Sequence, residues 1–430
     1  MLSVEENELL SRTNRGTPMG ELLRRYWVLV VLSRELPGPD SPPVRLKIMG
    51  EKLVAFRTTS GTVGIVQDAC PHRRASLFWG RNEEEGIRCV YHGWKFDVEG
   101  NCTDMPSEPD SSNFKDKIKI SAYPTAEAGQ VVWAYMGPKE LMPASPPHLE
   151  WARVPDDQIV MSKRSQETNW AQAVEGGIDS SHISFLHSGL PPARMKEVAN
   201  EPPDPNAPTA RKYTLGDTHP VFTIKETEYG MLIGARRNAE ADSYYWRITQ
   251  FLQPWYTYIP GATTSGQNTG GHAWVPMDDE HCWVFSFSYN AERPITEDEK
   301  RGMHDGSGIH AEVDERFRPI RNSENDYMID REAQAKENFT GIKGIGEQDM
   351  AVQEAMGPIV ERPLEHLGTS DLAIIGYRRQ LIRLAKDLAN GKEPYAPTHP
   401  ESYHVRSVSA VLGRDEEWFT AAADRLKARV

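Results

Sequence analysis

A chain of 430 residues is too long for one comfortable core and implies two or three domains, which disfavours a compact electron carrier or a lone binding module. With 38% hydrophobic, 26% charged and 9% aromatic residues, the composition is that of a globular protein, not of a disordered, collagen-like or membrane chain. A formal charge of −13, from 62 acidic against 49 basic residues, argues against a nucleic-acid partner, because neutralising phosphates needs a basic surface.

The opening MLSVEENELL lacks the positive start and long apolar core of a signal peptide, and the nearby apolar run Trp27 to Leu32 is too short to cross a bilayer. Four cysteines, at 70, 89, 102 and 282, are too few and too scattered for a disulfide framework. Both features place the protein in the cytoplasm. Residues 1–25 show a helical pattern broken by NRGTP and form a lead-in, not a domain. Short β-rich runs such as LVAFRTT, TVGIVQD and GQVVWAYMG, separated by Gly, Asp, Asn and Pro, then define a small all-β module over 26–144. The proline-rich stretch 141–155 suits neither a helix interior nor a central strand and marks the boundary, put near 145. Beyond it come a helical segment over 167–187, strand-like runs over 211–290 and mainly helical patterns to the end. That order predicts an α+β domain, 145–430, with an antiparallel sheet.

Within the β module, Cys70-Pro71-His72 is followed after sixteen residues by Cys89-Val90-Tyr91-His92. Each segment offers one soft thiolate and one imidazole. Two such loops meeting tip to tip could place both sulfurs on one metal and both nitrogens on another, the division of labour of a Rieske [2Fe–2S] centre. A single zinc also accepts two Cys and two His, but structural zinc sites usually pair like with like. The remaining Cys102 and Cys282 have no His or Cys at ligand spacing and read as ordinary residues.

CPHRRASLFWG and CVYHGWKFD resemble the two cluster-binding loops of Rieske oxygenases. Respiratory Rieske proteins carry an extra cysteine in each loop; here Ala75 and Tyr91 hold those places, as suits the lower-potential oxygenase type. Trp94, Lys95 and Phe96 are expected to pack over the second loop and shield the cluster.

The segment NWAQAVEGGIDSSHISFLH supplies a second set of donors. Asp179 and His182 are three residues apart and share a helical face, whereas His187 lies about 140° from His182 on a regular helix, so the imidazoles converge only through a π-bulge or a helix break. Two His and one carboxylate on Fe(II) leave open positions for dioxygen and substrate. GIKGIGEQDMAVQEAMGPI resembles the family's later ligand-bearing helix and puts Asp349 at the carboxylate position, with Glu347 and Glu354 as alternatives. His304 and His310 have no carboxylate partner at helical spacing and are assigned a structural or surface role.

The resemblance covers nearly the whole chain and is closest to phthalate-dioxygenase-like oxygenase components. It implies a helix-grip (START-like) catalytic domain. It also implies electrons from NADH through a separate flavin and iron–sulfur reductase, O₂ activated against an aromatic ring, and a head-to-tail homotrimer, alone or stacked in pairs as a hexamer. By the same analogy Asp179 bridges His182 and His92 of the partner subunit. Asn169 either contacts the iron site or caps a helix. The expected reaction is cis-dihydroxylation of an aromatic carboxylate, with monooxygenation or O-demethylation of a methoxy- or aryloxy-benzoate as the alternative. A Rieske electron carrier without oxygenase activity is the alternative from another class. Arg247, in YYWRITQF, and Arg211 are the candidate carboxylate anchors, and a structural salt bridge would explain either.

Overall fold

The computed structural model describes residues 2–190, 194, 209–261 and 268–430, and the side chains at 209–211 lie outside the description. The N-terminal module is built from antiparallel sheets. Trp27–Leu32 and Val131–Tyr135 are unbroken apolar, β-branched runs, buried along their whole length, and pair with each other; Thr125–Ala128 completes their sheet. A second sheet has the order Val44–Ile48, Glu51–Arg57, Val63–Gln67, Ala122–Tyr123, and a third the order Arg81–Glu83, Gly86–Arg88, Lys95–Phe96, Cys102–Asp104. Val54, Phe56, Leu77, Ile87, Phe96 and Ile120 form a separate core beneath the two cysteine loops.

The second module is organised by one antiparallel sheet in the order Ile159–Gln166, Cys282–Tyr289, Thr269–Pro276, Tyr256–Ile259, Ser243–Leu252, Gly230–Asn238, Val221–Thr227. Its two faces do different jobs, because side chains alternate along each strand. On one face Phe287 stacks on Trp151 at 5.0 Å, and Trp151 on Trp133 of the first module at 5.9 Å. One continuous apolar core therefore spans both modules. The opposite face carries the row Ser162, Ser286, His272, Thr257, Phe251, in register across five strands. The long helix Leu372–Ala389 packs on this face through Tyr377, whose ring meets Phe251 edge-on at 4.9 Å. That is the helix-grip arrangement.

Two elements differ from the sequence expectation. The helix placed over 167–187 runs only from Trp170 to Ile178. The C-terminal region, read as mainly helical, returns a strand, Val408–Gly413, which pairs with Ser243–Leu252. Its small residues carry little local signal, and its partner lies far away in the chain.

The N-terminal residues form two short helices, Val4–Ser11 and Pro18–Leu23, capped by Ser3 with Glu6 and by Thr17. They are fastened to the second module: Arg362 donates to the Asn7 Oδ1 at 2.8 Å, and the Thr13 N–H donates to Asp279 at 2.8 Å. Among the described residues no helix is long and apolar enough to cross a membrane.

Candidate metal centres

The two cysteine loops fold alike. In the first, the Cys70 N–H donates to the Ala75 carbonyl at 2.8 Å and the Arg74 N–H to the Cys70 carbonyl at 2.9 Å. In the second, the Cys89 N–H donates to the Trp94 carbonyl at 2.8 Å and the Gly93 N–H to the Cys89 carbonyl at 3.0 Å. The residue closing each turn has a left-handed backbone, Arg74 at φ 62° and Gly93 at φ 79°. Glycine adopts it freely, while an L side chain pays about 1–2 kcal/mol.

These turns bury both thiols and bring the His72 and His92 rings to 4.3 Å. Burial, with Cys89 alongside, pushes the Cys70 thiol up to about 11, so ionising Cys70 calls for a bound cation. His92 Nδ1 is buried with no hydrogen-bond partner among the described residues, an orphan that a metal would satisfy. Trp94 stacks on His72 at 4.6 Å and donates from Nε1 to Ser107 at 3.2 Å, the shielding expected of it. Two buried thiols on one pair of turns and two adjacent imidazoles on the same loops are the donor set that a two-iron cluster needs, sulfur for one iron and nitrogen for the other.

At the second site the helix Trp170–Ile178 ends at Asp179, whose backbone is extended and whose Oδ1 accepts the Ser181 N–H at 2.6 Å. The chain then makes a short 3₁₀ turn, His182–Ser184. This is the helix break that the His182 to His187 spacing demanded. It brings the two Nε2 atoms to 3.0 Å, with Asp349 Oδ1 at 3.3 Å from His187 and 3.7 Å from His182. With metal–ligand bonds of about 2.1 Å, neighbouring ligand atoms should lie about 3 Å apart, so the three can face one ion. Burial works against charge on Asp349, but His187 and His182 outweigh it and hold the carboxyl below its ordinary range; the same pairing raises His187. Behind the triad, Asp179 Oδ2 lies 3.2 Å from His182 Nδ1, and Gln348 Oε1 lies 2.8 Å from His187 Nδ1.

A family model described as the Rieske [2Fe-2S] domain matches residues 26–124, and one described as LigXa C-terminal domain like matches residues 134–429. The chain is 39% identical over 448 aligned positions to the 3-chlorobenzoate-3,4-dioxygenase oxygenase subunit of Comamonas testosteroni, with 100% of both chains covered. It is 38% identical to the phthalate 4,5-dioxygenase oxygenase subunit of Pseudomonas putida, over 97% of this chain and 94% of that one. The chain belongs to the Rieske non-haem iron oxygenases. As such an oxygenase subunit it uses a [2Fe–2S] cluster, a mononuclear iron and NADH electrons delivered by a separate reductase, and the electron-carrier alternative falls away. The crystal structure of dicamba monooxygenase bound to dicamba matches 86% of this chain and 99% of its own at TM-score 0.58 and 17% identity, a likeness of fold.

The other candidate residues of this Rieske oxygenase separate cleanly. Asn169 does not reach the triad: its Oδ1 caps the Ala171 N–H at 3.0 Å and its Nδ2 donates to the carbonyls of Ser11 at 3.0 Å and Asp279 at 2.7 Å, so the catalytic expectation gives way to the capping one. Glu347 is buried beside Arg321 at 3.8 Å, and Glu354 accepts from Tyr327 and the Glu167 N–H; neither joins the triad. His310 is wedged between the Ser162 and Ser288 hydroxyls at 2.7 and 2.9 Å, a structural role, and burial pushes it down to about 3. Cys102 belongs to the same small core as Cys70 and Cys89, closer to the cluster loops than its spacing suggested.

Arg247 projects from the site face of its strand, four residues before Phe251, and its side chain makes no hydrogen bond or ion pair among the described residues. Burial lowers its guanidinium from the ordinary value, and its charge is felt at Asp179 and His187. The side chain of Arg211 lies outside the described residues.

Sequence reasoning missed Gln348, His272 and Arg237. His272 is held neutral by burial, down to about 3, with Nδ1 at 2.9 Å from the Ser286 hydroxyl. Arg237 donates to the Ser180 carbonyl at 2.6 Å and the Asp217 carbonyl at 3.1 Å, fixing the loop that carries Asp179. Only the strand alternation, known once register is known, could have put His272 and Arg237 on the site face.

Proposed function

We propose that the chain hydroxylates an aromatic carboxylate, with cis-dihydroxylation as the outcome. The observation that carries this reading is Arg247: a half-buried guanidinium without a hydrogen-bond or ion-pair partner among the described residues, electrostatically coupled to Asp179 and His187, is a ready receptor for a carboxylate. Both curated relatives described above are named for aromatic carboxylates, a chlorobenzoate and a phthalate.

In this reading Cys70, Cys89, His72 and His92 would hold the cluster, and His182, His187 and Asp349 would hold the mononuclear iron. Bound there, the two groups would supply single electrons and dioxygen activation. The protein's own part is to orient and to insulate. Arg247 fixes the substrate by its carboxylate, Phe251 and His272 lie on the same sheet face as Arg247, and Asp179 and Gln348 hold the outer nitrogens of the two imidazoles.

Asp179 also serves as the electron bridge to His92 of the partner subunit in a head-to-tail homotrimer, single or stacked as a hexamer. Two exposed apolar sets support this assembly: Trp79, Val90 and Tyr91 around the cluster loops, and Phe185, Val352 and Met356 around the triad. The subunit works in the cytoplasm with a flavin and iron–sulfur reductase.

The test is a product screen with benzoates, phthalates and methoxybenzoates under ¹⁸O₂ with a generic reductase. Two labelled oxygens in one ring product support dioxygenation; a single atom or loss of a methyl group assigns monooxygenation or O-demethylation. Arg247→Ala should raise the apparent KM for carboxylate substrates about tenfold or more, the loss of a charge-assisted contact. Unchanged kinetics would remove Arg247 from the pocket.

A further inference from the structure

We infer that Gln348 fixes the tautomer and the aim of His187 and is thereby a positioning residue for the mononuclear iron; the inference rests on the triad reading above. The argument begins with the amide itself. Gln348 Nε2 donates to the Ile342 carbonyl at 2.9 Å, and its Oε1 faces His187 Nδ1 at 2.8 Å. Turning the amide over would set its oxygen against the Ile342 carbonyl, acceptor against acceptor, and its NH₂ against the imidazole. The Ile342 carbonyl therefore decides which end of the amide His187 meets.

An amide oxygen only accepts, so His187 carries its proton on Nδ1 and keeps the Nε2 lone pair free. That is the atom lying 3.0 Å from His182 Nε2 and 3.3 Å from Asp349 Oδ1. Gln348 precedes Asp349 on the helix Ile345–Ala355, and Ile342 lies in the approach to it, so one side chain ties the carboxylate's helix to the imidazole it must meet.

The two imidazoles are thus held by unlike partners. His182 has the Asp179 carboxylate, which strengthens it as a donor, and His187 has a neutral amide that orients it without adding charge. With Asp349 and Asp179 already charged beside it, a neutral holder keeps a third negative charge away from a site read as receiving an anionic substrate.

The test is competition for Fe(II) between a chromophoric chelator and the full-length, cluster-loaded protein in wild type, Gln348→Leu and Gln348→Glu. Gln348→Leu removes the acceptor and should weaken iron retention about 10–100-fold, with the cluster's EPR signal unchanged. Gln348→Glu keeps an acceptor for His187 but loses the Ile342 hydrogen bond, and should hold iron nearly as the wild type does. Gln348→Leu retaining iron at wild-type strength would overturn the inference. So would equal losses in both variants, which would assign the effect to the Ile342 tether. Wild-type protein that takes up no iron beyond its cluster would overturn the triad reading, and this inference with it.

Discussion

Asp179 has two carboxylate oxygens and uses them in different directions. Oδ1 accepts the Ser181 N–H and shapes the turn, while Oδ2 faces His182 Nδ1. Burial works against its charge, but the hydrogen bonds from His182 and Ser181 prevail and keep the carboxyl below its ordinary range. Asp179→Asn preserves the shape and the Ser181 contact yet presents an NH₂ to a nitrogen that also donates. With iron supplied in excess, both centres should load, while coupled turnover falls about 100-fold; product formed per NADH consumed checks this. The proposed metal ligands were the residues that sequence could single out, because two mixed Cys and His pairs are improbable by accident and lend weight to the His182 and His187 pair, which alone would say little. Gln348, His272 and Arg237 were not legible: each acts through a contact made far along the chain, and a glutamine beside an aspartate has no local signature.

At the scale of elements, the site depends on how closely Trp170–Ile178 lies against its neighbours. A Cβ on Gly177 would come within 2.1 Å of the Trp274 ring, whereas one on Gly176 would meet the flexible end of Gln353. Gly177→Ala should therefore destabilise by about 1–3 kcal/mol and shed the mononuclear iron while the cluster stays, and Gly176→Ala should be milder; thermal melts with iron analysis separate them. The sequence pattern carries this helix on to 187, because where it stops depends on the Asp179 to Ser181 contact, which has no local signature.

A second element-level contact joins the modules. The Met49 and Gly50 N–H groups donate to the Pro276 and Met277 carbonyls, each at 2.8 Å, and Asp278 pairs with Lys47 and His281. Burial opposes the Asp278 charge, but His281 and Lys47 hold its carboxyl well below 3.8, and Asp278 in turn raises His281 above 6.5. The depressed acid stabilises above its unfolded pKa and loses that contribution as pH falls. The raised histidine stabilises below its unfolded pKa and loses its contribution as pH rises. Asp278→Asn should therefore cost most between pH 3.8 and 6.5, by about 1 kcal/mol or less given the exposure of Lys47 and His281. Melting curves of the two proteins should converge at acid pH and draw closer above pH 6.5 without meeting, because Lys47 still pairs with Asp278 there.

For the whole molecule, the exposed apolar residues around the cluster loops make the proposed assembly testable. Val90 is 58% exposed, and on the trimer proposed above Val90→Glu should leave both metal centres loaded yet shift the sedimenting species from trimer to monomer and abolish turnover; a wild-type protein that sediments as a monomer would overturn that assembly. The change in periodicity suggests a β module followed by an α+β module, but it says nothing of the shared core, since apolar runs do not say which neighbour they will meet. That shared core also constrains anyone who would graft this protein. The two family matches leave residues 125–133 between them, yet Trp27–Leu32 finds its partner in Val131–Tyr135, which starts in that gap and runs into the second match. A chimera cut there would tear a sheet in half and strand Trp133 away from Trp151, so exchangeable cassettes must run past residue 135 and bring a matching tryptophan shelf with them.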